Sequence, residues 1–290
     1  DAVGTKAAAH YQITIPAASQ QIVELRLSDR PLSSGEVFGP AFADILATRL
    51  REGDEFYAQI IPATLSDHPR RVVRQACARM LWSNEFYYYP VREWMEDEVL
   101  PRDCDRRVAS RNTEWFFLES ADIFSMPDKW EYPWFAAWDL AFHCMVLARV
   151  EIDFAKEHLQ LITNQVYLQP NGQIPAYEWN FSDVNPPVHC KATWQIYMME
   201  KSLDGKADRA FLEGMFHKLL MNFTWWVNRK DELGNNVFEG GFLGLDNIGL
   251  FDRSAPLPTG GFLEQADGTA WMALYCQNML EIGVELAARD

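Results

Sequence analysis

The feature that most constrains this chain is a helical spacing of apolar residues, which returns repeatedly between long segments rich in aromatic residues, Gly and Pro. Phe42, Ile45, Leu46 and Leu50 fall at three- and four-residue intervals, the spacing of one helix face. The same spacing predicts a helix capped at Ser66-Asp67 and running to Leu81, and further helices at about 136–166, 188–202, 207–229 and 267–288. The segments at 84–134, 167–187 and 231–266 are longer than simple turns, and such loops usually carry function. The pattern therefore predicts a mainly helical domain whose long loops gather on one face.

The first 30 residues follow a different pattern. Tyr11, Ile13 and Ile15 alternate with polar neighbours, and a second alternating run, Val23 to Leu27, follows a Pro-Ala-Ala-Ser turn. Alternation of this kind predicts two β-strands, and two strands alone do not make a stable unit in water. We therefore interpret residues 1–30 as the tail of an N-terminal β domain. We assign 31–110 to a helical linker and the first barrel helices, and 111–290 to a partial catalytic domain.

Composition and charge narrow the range of functions. The formal net charge of −15 repels a phosphate backbone, so nucleic acid is not an expected partner. Carboxylates accept hydrogen bonds from hydroxyls, so the same charge suits a neutral sugar. The 11 Trp either fill the core or stack on the apolar faces of pyranose rings, and the sequence leaves both uses open.

Several motifs of other protein classes are absent from the sequence. It has no glycine-rich phosphate-binding loop, and its six His are scattered without a metal-ligand spacing, so we expect neither a cofactor nor a metal. It has no run of about 20 apolar residues and no signal peptide at its start, so we expect no membrane contact. Five Cys without a CxxC pair predict buried free thiols in a reducing compartment. Together these features predict a cytoplasmic protein.

Two acidic residues lie in unusual surroundings. Asp139 stands where a segment containing Trp130, Trp134 and Trp138 enters a predicted helix. Alternatively, Asp139 has no role in binding and is simply a carboxylate that the helix dipole favours at a helix start, an effect worth about 0.3–1 kcal/mol. Asp246 lies among apolar residues in a glycine-rich segment, where the apolar surroundings would raise its pKa as a general acid requires. Alternatively, Asp246 only forms an Asx turn in this segment.

Four short motifs, in order, resemble those of family-63 glycoside hydrolases and their mannosylglycerate-hydrolase-like relatives. They are Trp138-Asp139 followed by Leu-Ala-Phe-His, Gly172-Gln173-Ile174-Pro175, Asn185-Pro186-Pro187 and Gly244-Leu245-Asp246-Asn247. The resemblance covers about 112–290, and residues 1–110 resemble the β-to-helical junction of large bacterial members. It implies a mainly α fold, part of an (α/α)6 toroid preceded by the end of a β domain. The six or seven helices predicted are fewer than a closed toroid needs, so we expect a fragment of a larger protein.

The resemblance also implies roles for individual residues. Asp246 would be the general acid of an inverting glycoside hydrolase, and Asp139 would hold sugar hydroxyls beside Trp138. Asn185 takes a position where the family often has Gln. An inverting enzyme needs a general base about 6.5–9.5 Å from the acid, but no segment matches the family's base motif, and Glu264 lies in a different context. The predicted substrate-binding residues are Trp134, Trp138, Asp139, Asn185, Gly244, Asn247, Arg253 and Gln265.

The function expected from these features is hydrolysis of an α-linked glucoside or a related sugar. The expected partners are an oligosaccharide or small glycoside substrate and the missing remainder of the same chain. Because no general base is identified, a non-catalytic carbohydrate-binding or structural segment remains an alternative. A trehalase or debranching-type enzyme on the same toroid is a second alternative.

Overall fold

The computed structural model describes residues 8–96, 115–126, 128, 130, 135–177, 184–229, 234, 237–238, 257–261 and 268–288. The described residues are mainly helical, which confirms the predicted fold class. The chain divides into two compact units, Asp1–Ala63 and Thr64–Asp290.

The first unit contains the helices α1 (Ser34–Val37) and α2 (Pro40–Ile60). A capping box begins α1, because the backbone N–H and the hydroxyl of Ser33 both donate to Glu36 Oε2, over 2.9 and 2.7 Å. These bonds lower the pKa of the Glu36 carboxyl. The helix predicted from the spacing around Ile45 is confirmed as α2, although three of the side chains that predicted it, Ile45, Leu46 and Leu50, are exposed.

The prediction of two strands before residue 30 is wrong for the residues described. Residues 8–33 contain no strand, and Tyr11, Ile13, Ile15, Ile22, Val23, Leu25 and Leu27 are exposed. Alternation describes one face of a sheet, but a strand forms only where a neighbouring strand accepts its backbone hydrogen bonds. The assignment of 1–30 to the tail of a β domain stays a prediction.

The second unit contains the other helices that the structure describes. They are α3 (Asp67–Trp82), α4 (Val91–Glu96), α5 (Ala137–Leu147), α6 (Ile152–Ile162), α7 (His189–Asp204), α8 (Arg209–Val227) and α9 (Gly268–Ala287). The helices predicted at 188–202, 207–229 and 267–288 are confirmed as α7, α8 and α9.

The single helix predicted at 136–166 is instead two helices. Its first half ends at Leu147, where Val150 and Glu151 both donate backbone hydrogen bonds to the Leu147 carbonyl, each over 2.8 Å. The tightened turn lets the chain reverse, so α6 packs against α5. Both halves carry an apolar stripe, and a stripe that continues across a turn looks like one helix in the sequence.

The segment 84–134, predicted to be irregular, contains a two-stranded antiparallel sheet in its described part. The strands are β1 (Asn84–Pro90) and β2 (Glu119–Ser125), with Asn84 opposite Ser125 and Pro90 opposite Glu119. Four consecutive aromatic residues, Phe86 to Tyr89, occupy both faces of β1. The polar alternation that identifies a half-buried strand is therefore missing from the sequence.

The inner face of this sheet fixes how the chain enters α5. Phe135, two residues before that helix, contacts the ring of Phe124 with ring centroids 5.6 Å apart and stacks on Tyr167 with centroids 5.5 Å apart. The Tyr167 hydroxyl donates to Asp122 Oδ2 and lies 2.7 Å from Ser120 Oγ. Burial raises the pKa of Tyr167, so this phenol stays protonated and keeps donating.

Helix α7 is the centre of the second unit, because it packs against α5, α6, α8 and α9. Its side chains Ala192, Thr193, Ile196 and Tyr197 are fully buried. Burying an apolar side chain of the size of Ile stabilises a fold by about 1.5–3 kcal/mol. The far end of α9 is tied to α7 and α8, since Lys201 Nζ donates to Glu285 Oε1 and Arg209 donates to the carbonyls of Glu285 and Leu286.

A buried ion cluster joins the three helices α6, α7 and α8. Lys156 Nζ of α6 lies 2.7 Å from Glu200 Oε1 of α7 and 2.8 Å from Asp208 Oδ2. Asp208 is also the N-cap of α8 and accepts from the Phe211 N–H. Burial lowers the pKa of Lys156, but its hydrogen bonds to Asp208 and Glu200 raise it by more, so the ammonium stays charged.

The described cysteines Cys77, Cys144, Cys190 and Cys276 are free thiols. The first three are buried, as the sequence predicts, whereas Cys276 is exposed. Among the described residues, no helix has the length and apolar character needed to cross a membrane.

The ion cluster around Lys156 should contribute to the stability of the fold. Lys156→Met leaves the buried Glu200 without its cation, so we expect a loss of about 3–5 kcal/mol in the free energy of unfolding, measured by urea titration. The matched control is Lys201→Met, because the bridge from Lys201 to Glu285 is partly exposed and should cost at most about 1 kcal/mol. Adding Glu200→Leu to Lys156→Met should restore part of the loss. Equal losses in the two single variants would contradict the cluster's role.

Candidate functional site

Three of the sequence motifs meet at the first residue of α5. The Ala137 backbone N–H donates to the Ala176 carbonyl over 3.1 Å. The Ala137 carbonyl accepts a 3.0 Å hydrogen bond from His189 Nε2, at the start of α7. Ala176 directly follows the Gly172–Pro175 motif, and His189 follows the Asn185–Pro187 motif. The fold therefore brings both loops to the helix start that carries Trp138 and Asp139.

Asp139 lies in the first turn of α5 and is half-buried. Burial raises the pKa of its carboxyl, and a contact with its own backbone N–H opposes that shift only in part. Within the part of the chain that the structure describes, no other residue hydrogen bonds to this carboxyl or forms an ion pair with it. A half-buried acid without such a partner is a candidate for binding a ligand, because nothing in the fold uses its acceptor capacity.

Trp138 connects this site to the start of α9. Its ring contacts Phe142 at 5.4 Å and Trp271 at 6.1 Å between centroids, both edge to face. In the same helix start, Thr269 Oγ1 accepts a 2.9 Å hydrogen bond from the Phe238 N–H. Phe238 is thus held at the start of α9. Thr269, which accepts its hydrogen bond, is two residues before Trp271, the residue that contacts Trp138.

Asn185 is buried, with 7% of its surface exposed. Its side-chain oxygen has no hydrogen-bond partner among the described residues. Leaving a buried acceptor unpaired costs about 1–3 kcal/mol, so such an atom calls for an explanation. A donor from a bound hydroxyl would satisfy it.

His189 positions the start of α5, and the sequence analysis did not single it out. It is fully enclosed, and burial lowers its pKa to about 4 despite the hydrogen bond to Ala137. The imidazole is therefore neutral at pH 7, with the proton on Nε2, the atom that donates to Ala137. Its place directly after the Pro-Pro-Val segment, at a helix start, was the available clue.

Gly172 holds the second motif against α8. Its φ is +94°, and a Cβ there would lie 2.5 Å from the Met221 carbonyl oxygen. Asn222, buried in α8, donates from Nδ2 to the Gly172 carbonyl over 2.8 Å and accepts from the Tyr275 hydroxyl. Close approach of backbone to helix is possible only without a side chain.

The remaining predicted site residues lie outside the described part of the chain: Trp134, Gly244, Asp246, Asn247, Arg253 and Gln265. Trp138 and Asp139 lie in the first turn of α5, and Asn185 lies four residues before His189, which donates to the Ala137 carbonyl. His143, one turn after Asp139 in α5, has its Nδ1 atom 2.9 Å from Ser125 Oγ. Among the described residues, no group of three His, Cys, Asp or Glu is arranged to hold a metal ion.

The depressed pKa of His189 predicts a pH dependence of stability. An unfolded chain binds the proton near pH 6.5, whereas the fold resists protonation until about pH 4. The stabilisation is therefore complete above pH 6.5 and is lost as the pH falls towards 4, by up to about 3 kcal/mol. His189→Gln keeps an N–H donor without a charge, so its free energy of unfolding should fall less steeply over that window. His68→Gln, at an exposed position, is the control, and parallel pH profiles for His189→Gln and the wild type would refute this account.

Replacing Gly172 and Gly205 by Ala should destabilise the fold to different degrees. Both have positive φ, +94° and +67°, but a Cβ at Gly205 meets nothing within 4 Å. Gly205→Ala should cost only the backbone penalty, about 1–2 kcal/mol. Gly172→Ala should cost more, because the turn must also move away from α8 and lose the Asn222 hydrogen bond. Thermal unfolding of the two variants measures the difference, and equal shifts would mean that the close approach is unimportant.

Comparison with known proteins finds a family match that includes this region. Residues 132–241 match the model of the mannosylglycerate hydrolase MGH1-like glycoside hydrolase domain. The chain is also 50% identical, over 297 aligned residues, to Uncharacterized protein YMR196W of Saccharomyces cerevisiae. That alignment covers 99% of this chain but only 27% of the yeast protein, so the chain spans about a quarter of its relative's length. The segment that holds Trp138, Asp139, Asn185 and His189 is thus similar to a glycoside hydrolase domain of the mannosylglycerate hydrolase MGH1-like type.

Proposed function

We propose that this chain is part of an inverting glycoside hydrolase that acts on an α-linked glucoside or a related sugar. The observation that carries the proposal is Asp139, half-buried and without a partner among the described residues, at the junction of three motifs inside the segment similar to a glycoside hydrolase domain. In this proposal the helices belong to an (α/α)6 toroid, and its central cleft contains the start of α5.

Asp139 binds sugar hydroxyls in the proposed site. A carboxylate accepts up to four hydrogen bonds and donates none, so it selects hydroxyl donors. Its raised pKa reflects partial removal from water, which strengthens each hydrogen bond it accepts. The side-chain oxygen of Asn185, which has no partner among the described residues, is a second acceptor in this proposal. The indole of Trp138, held between Phe142 and Trp271, gives an apolar wall for the face of a pyranose ring.

Asp246 is the proposed general acid, which protonates the glycosidic oxygen as the bond to the leaving group breaks. The motif Gly244-Leu245-Asp246-Asn247 supports this role, and the family match ends just before it, at residue 241. The hydrogen bond from Phe238 to Thr269 adds support, because the chain enters the 239–267 segment beside the helix whose Trp271 touches Trp138. The general base belongs, in this proposal, to the part of the protein outside these 290 residues.

The net charge of −15 favours a neutral substrate, an oligosaccharide or small glycoside, over an anionic polymer. No resident cofactor is needed, since two carboxyl groups and water complete an inverting hydrolysis.

The leaving group distinguishes the two acids in the full-length enzyme. Asp246→Asn keeps the shape of the side chain but cannot deliver a proton, so kcat/KM on a poor alkyl or sugar leaving group should fall by about 10²–10⁴. A glycosyl fluoride leaves without protonation and should be much less affected. Asp139→Asn removes contacts to hydroxyls and should lower kcat/KM for both substrates alike.

Asp252→Asn, a substitution of the same type in the same glycine-rich segment, is the matched control and should leave both rates near those of the wild type. If Asp246→Asn lost equal activity on the two substrates, Asp246 would be a binding residue rather than the acid. If the wild-type protein bound sugars but hydrolysed none, the non-catalytic binding function would replace the proposed one.

A further inference from the structure

We propose a second sugar-binding subsite, in a hollow at the C-terminal end of α8, that takes one hexose unit of an α-linked gluco-oligosaccharide. This inference rests on the proposed function, because it assigns an oligosaccharide to the same protein. The hollow is lined by Asn171, Thr224, Trp225, Asn228 and Arg229. None of these residues belongs to the site around Asp139.

The size of the hollow fits a single sugar ring. Its volume is about 270 Å³, below the range of roughly 300–1,000 Å³ typical of sites that enclose a drug-sized ligand. It opens to solvent, since Asn171, Thr224 and Asn228 are exposed. A subsite open on one side holds one unit of a chain while the neighbouring units continue outside it.

The hydrogen-bonding groups of the hollow match a hydroxyl. Asn171 Oδ1 already accepts from the Gln173 N–H over 2.9 Å, and no described residue accepts from its Nδ2. Asn228 Nδ2 already donates to the Thr224 carbonyl over 2.8 Å, and no described residue donates to its Oδ1. Among the described residues, one amide donor and one amide acceptor of the lining therefore lack a partner, and a sugar hydroxyl both accepts and donates.

An aromatic ring and a cation complete the wall. Trp225 is half-buried, and the Arg229 guanidinium lies 5.2 Å from the centroid of its ring. The cation–π contact places the guanidinium beside the hollow, as part of its wall. The exposed part of the indole offers apolar surface to the C–H face of a pyranose.

The hollow is rigid, which reduces the entropic cost of binding. The turn that carries Asn171 is closed by the Gly172 N–H, which donates to the Gln169 carbonyl over 2.8 Å. Gly172 in turn lies directly on α8, where Asn222 donates to its carbonyl. Asn171 therefore has a fixed position relative to Trp225 and Asn228 on the helix.

The hollow is also tied to the proposed catalytic region. Asn171 is five residues from Ala176, whose carbonyl accepts from Ala137 at the start of α5. Five residues span at most about 18 Å even when fully extended. In this proposal a short oligosaccharide, whose length is of the same order, occupies the hollow and reaches towards Asp139.

Asn171→Asp tests the subsite in the full-length protein. The carboxylate keeps the acceptor that closes the turn with Gln173 but loses the Nδ2 donor. The matched control is Asn164→Asp, because Asn164 Oδ1 accepts from the Val166 N–H over 2.8 Å in the same kind of turn and does not line the hollow. The probes are glucose, maltose, maltotriose and maltotetraose in calorimetric titrations, with thermal unfolding as a check that both variants fold.

We expect Asn171→Asp to weaken binding of the longest probe about 3- to 10-fold, the effect of losing one hydrogen bond. Asn164→Asp should bind like the wild type. Where hydrolysis is measurable, Asn171→Asp should raise KM on maltotetraose and leave kcat/KM on an aryl α-glucoside unchanged, because the short substrate does not reach the hollow.

Other outcomes separate the two proposals. If the wild type hydrolyses nothing but Asn171→Asp still weakens maltotetraose binding, the subsite stands and the proposed function fails. If the enzyme is active and Asn171→Asp binds every probe as the wild type does, the subsite is overturned and the function stands. Failure of the wild type to bind any of the four sugars overturns the subsite.

Discussion

The backbone of Ala137 is the point on which the arrangement of the second unit depends. Its N–H and its carbonyl are both used by partners far along the chain, Ala176 and His189. A helix start normally leaves backbone N–H groups unpaired, and side chains or water satisfy them. Here Ala136, the N-cap, has no polar side chain, and a loop carbonyl takes over that task. The first turn of α5 is therefore positioned by tertiary contacts rather than by its own sequence.

Aromatic and amide contacts extend this junction to the last two helices. The Trp138 ring meets Trp271 of α9, and Tyr275, one turn later, donates to the Leu219 carbonyl and to Asn222 of α8. Asn222 in turn donates to the carbonyl of Gly172, which lies in the same loop as Ala176, the residue that binds Ala137. The site region is thus enclosed by a closed circuit of contacts, and a displacement at one helix must be accommodated by the others. Such mutual restraint holds a binding region in one geometry.

Much of the helical fold could be predicted from the sequence, whereas the turn after Leu147, strand β1 and the contact of His189 could not. Amphipathic spacing predicted α7, α8 and α9 closely, because each buries one continuous stripe. The motifs predicted that Trp138, Asp139 and Asn185 belong together, although 46 positions separate Asp139 from Asn185. The break after Leu147 depends on backbone bonds within a turn, and β1 depends on pairing with a strand 35 residues later, counted from Asn84 to Glu119. Single-sequence periodicity carries neither kind of information, and it equally missed His189, whose role exists only through its contact with Ala137.

The ion cluster around Lys156 has a consequence for the order in which the chain assembles. Its three charged groups lie between residues 156 and 208, on consecutive helices. The ammonium can therefore be neutralised as soon as α7 and the start of α8 have been synthesised, before α9 exists. The contacts that dock α9, from Lys201 and Arg209 to its far end, span 84, 76 and 77 residues and must form later. The cluster around Lys156 therefore closes at most 52 residues of chain, fewer than any of the contacts that dock α9, and a shorter loop costs less conformational entropy to close.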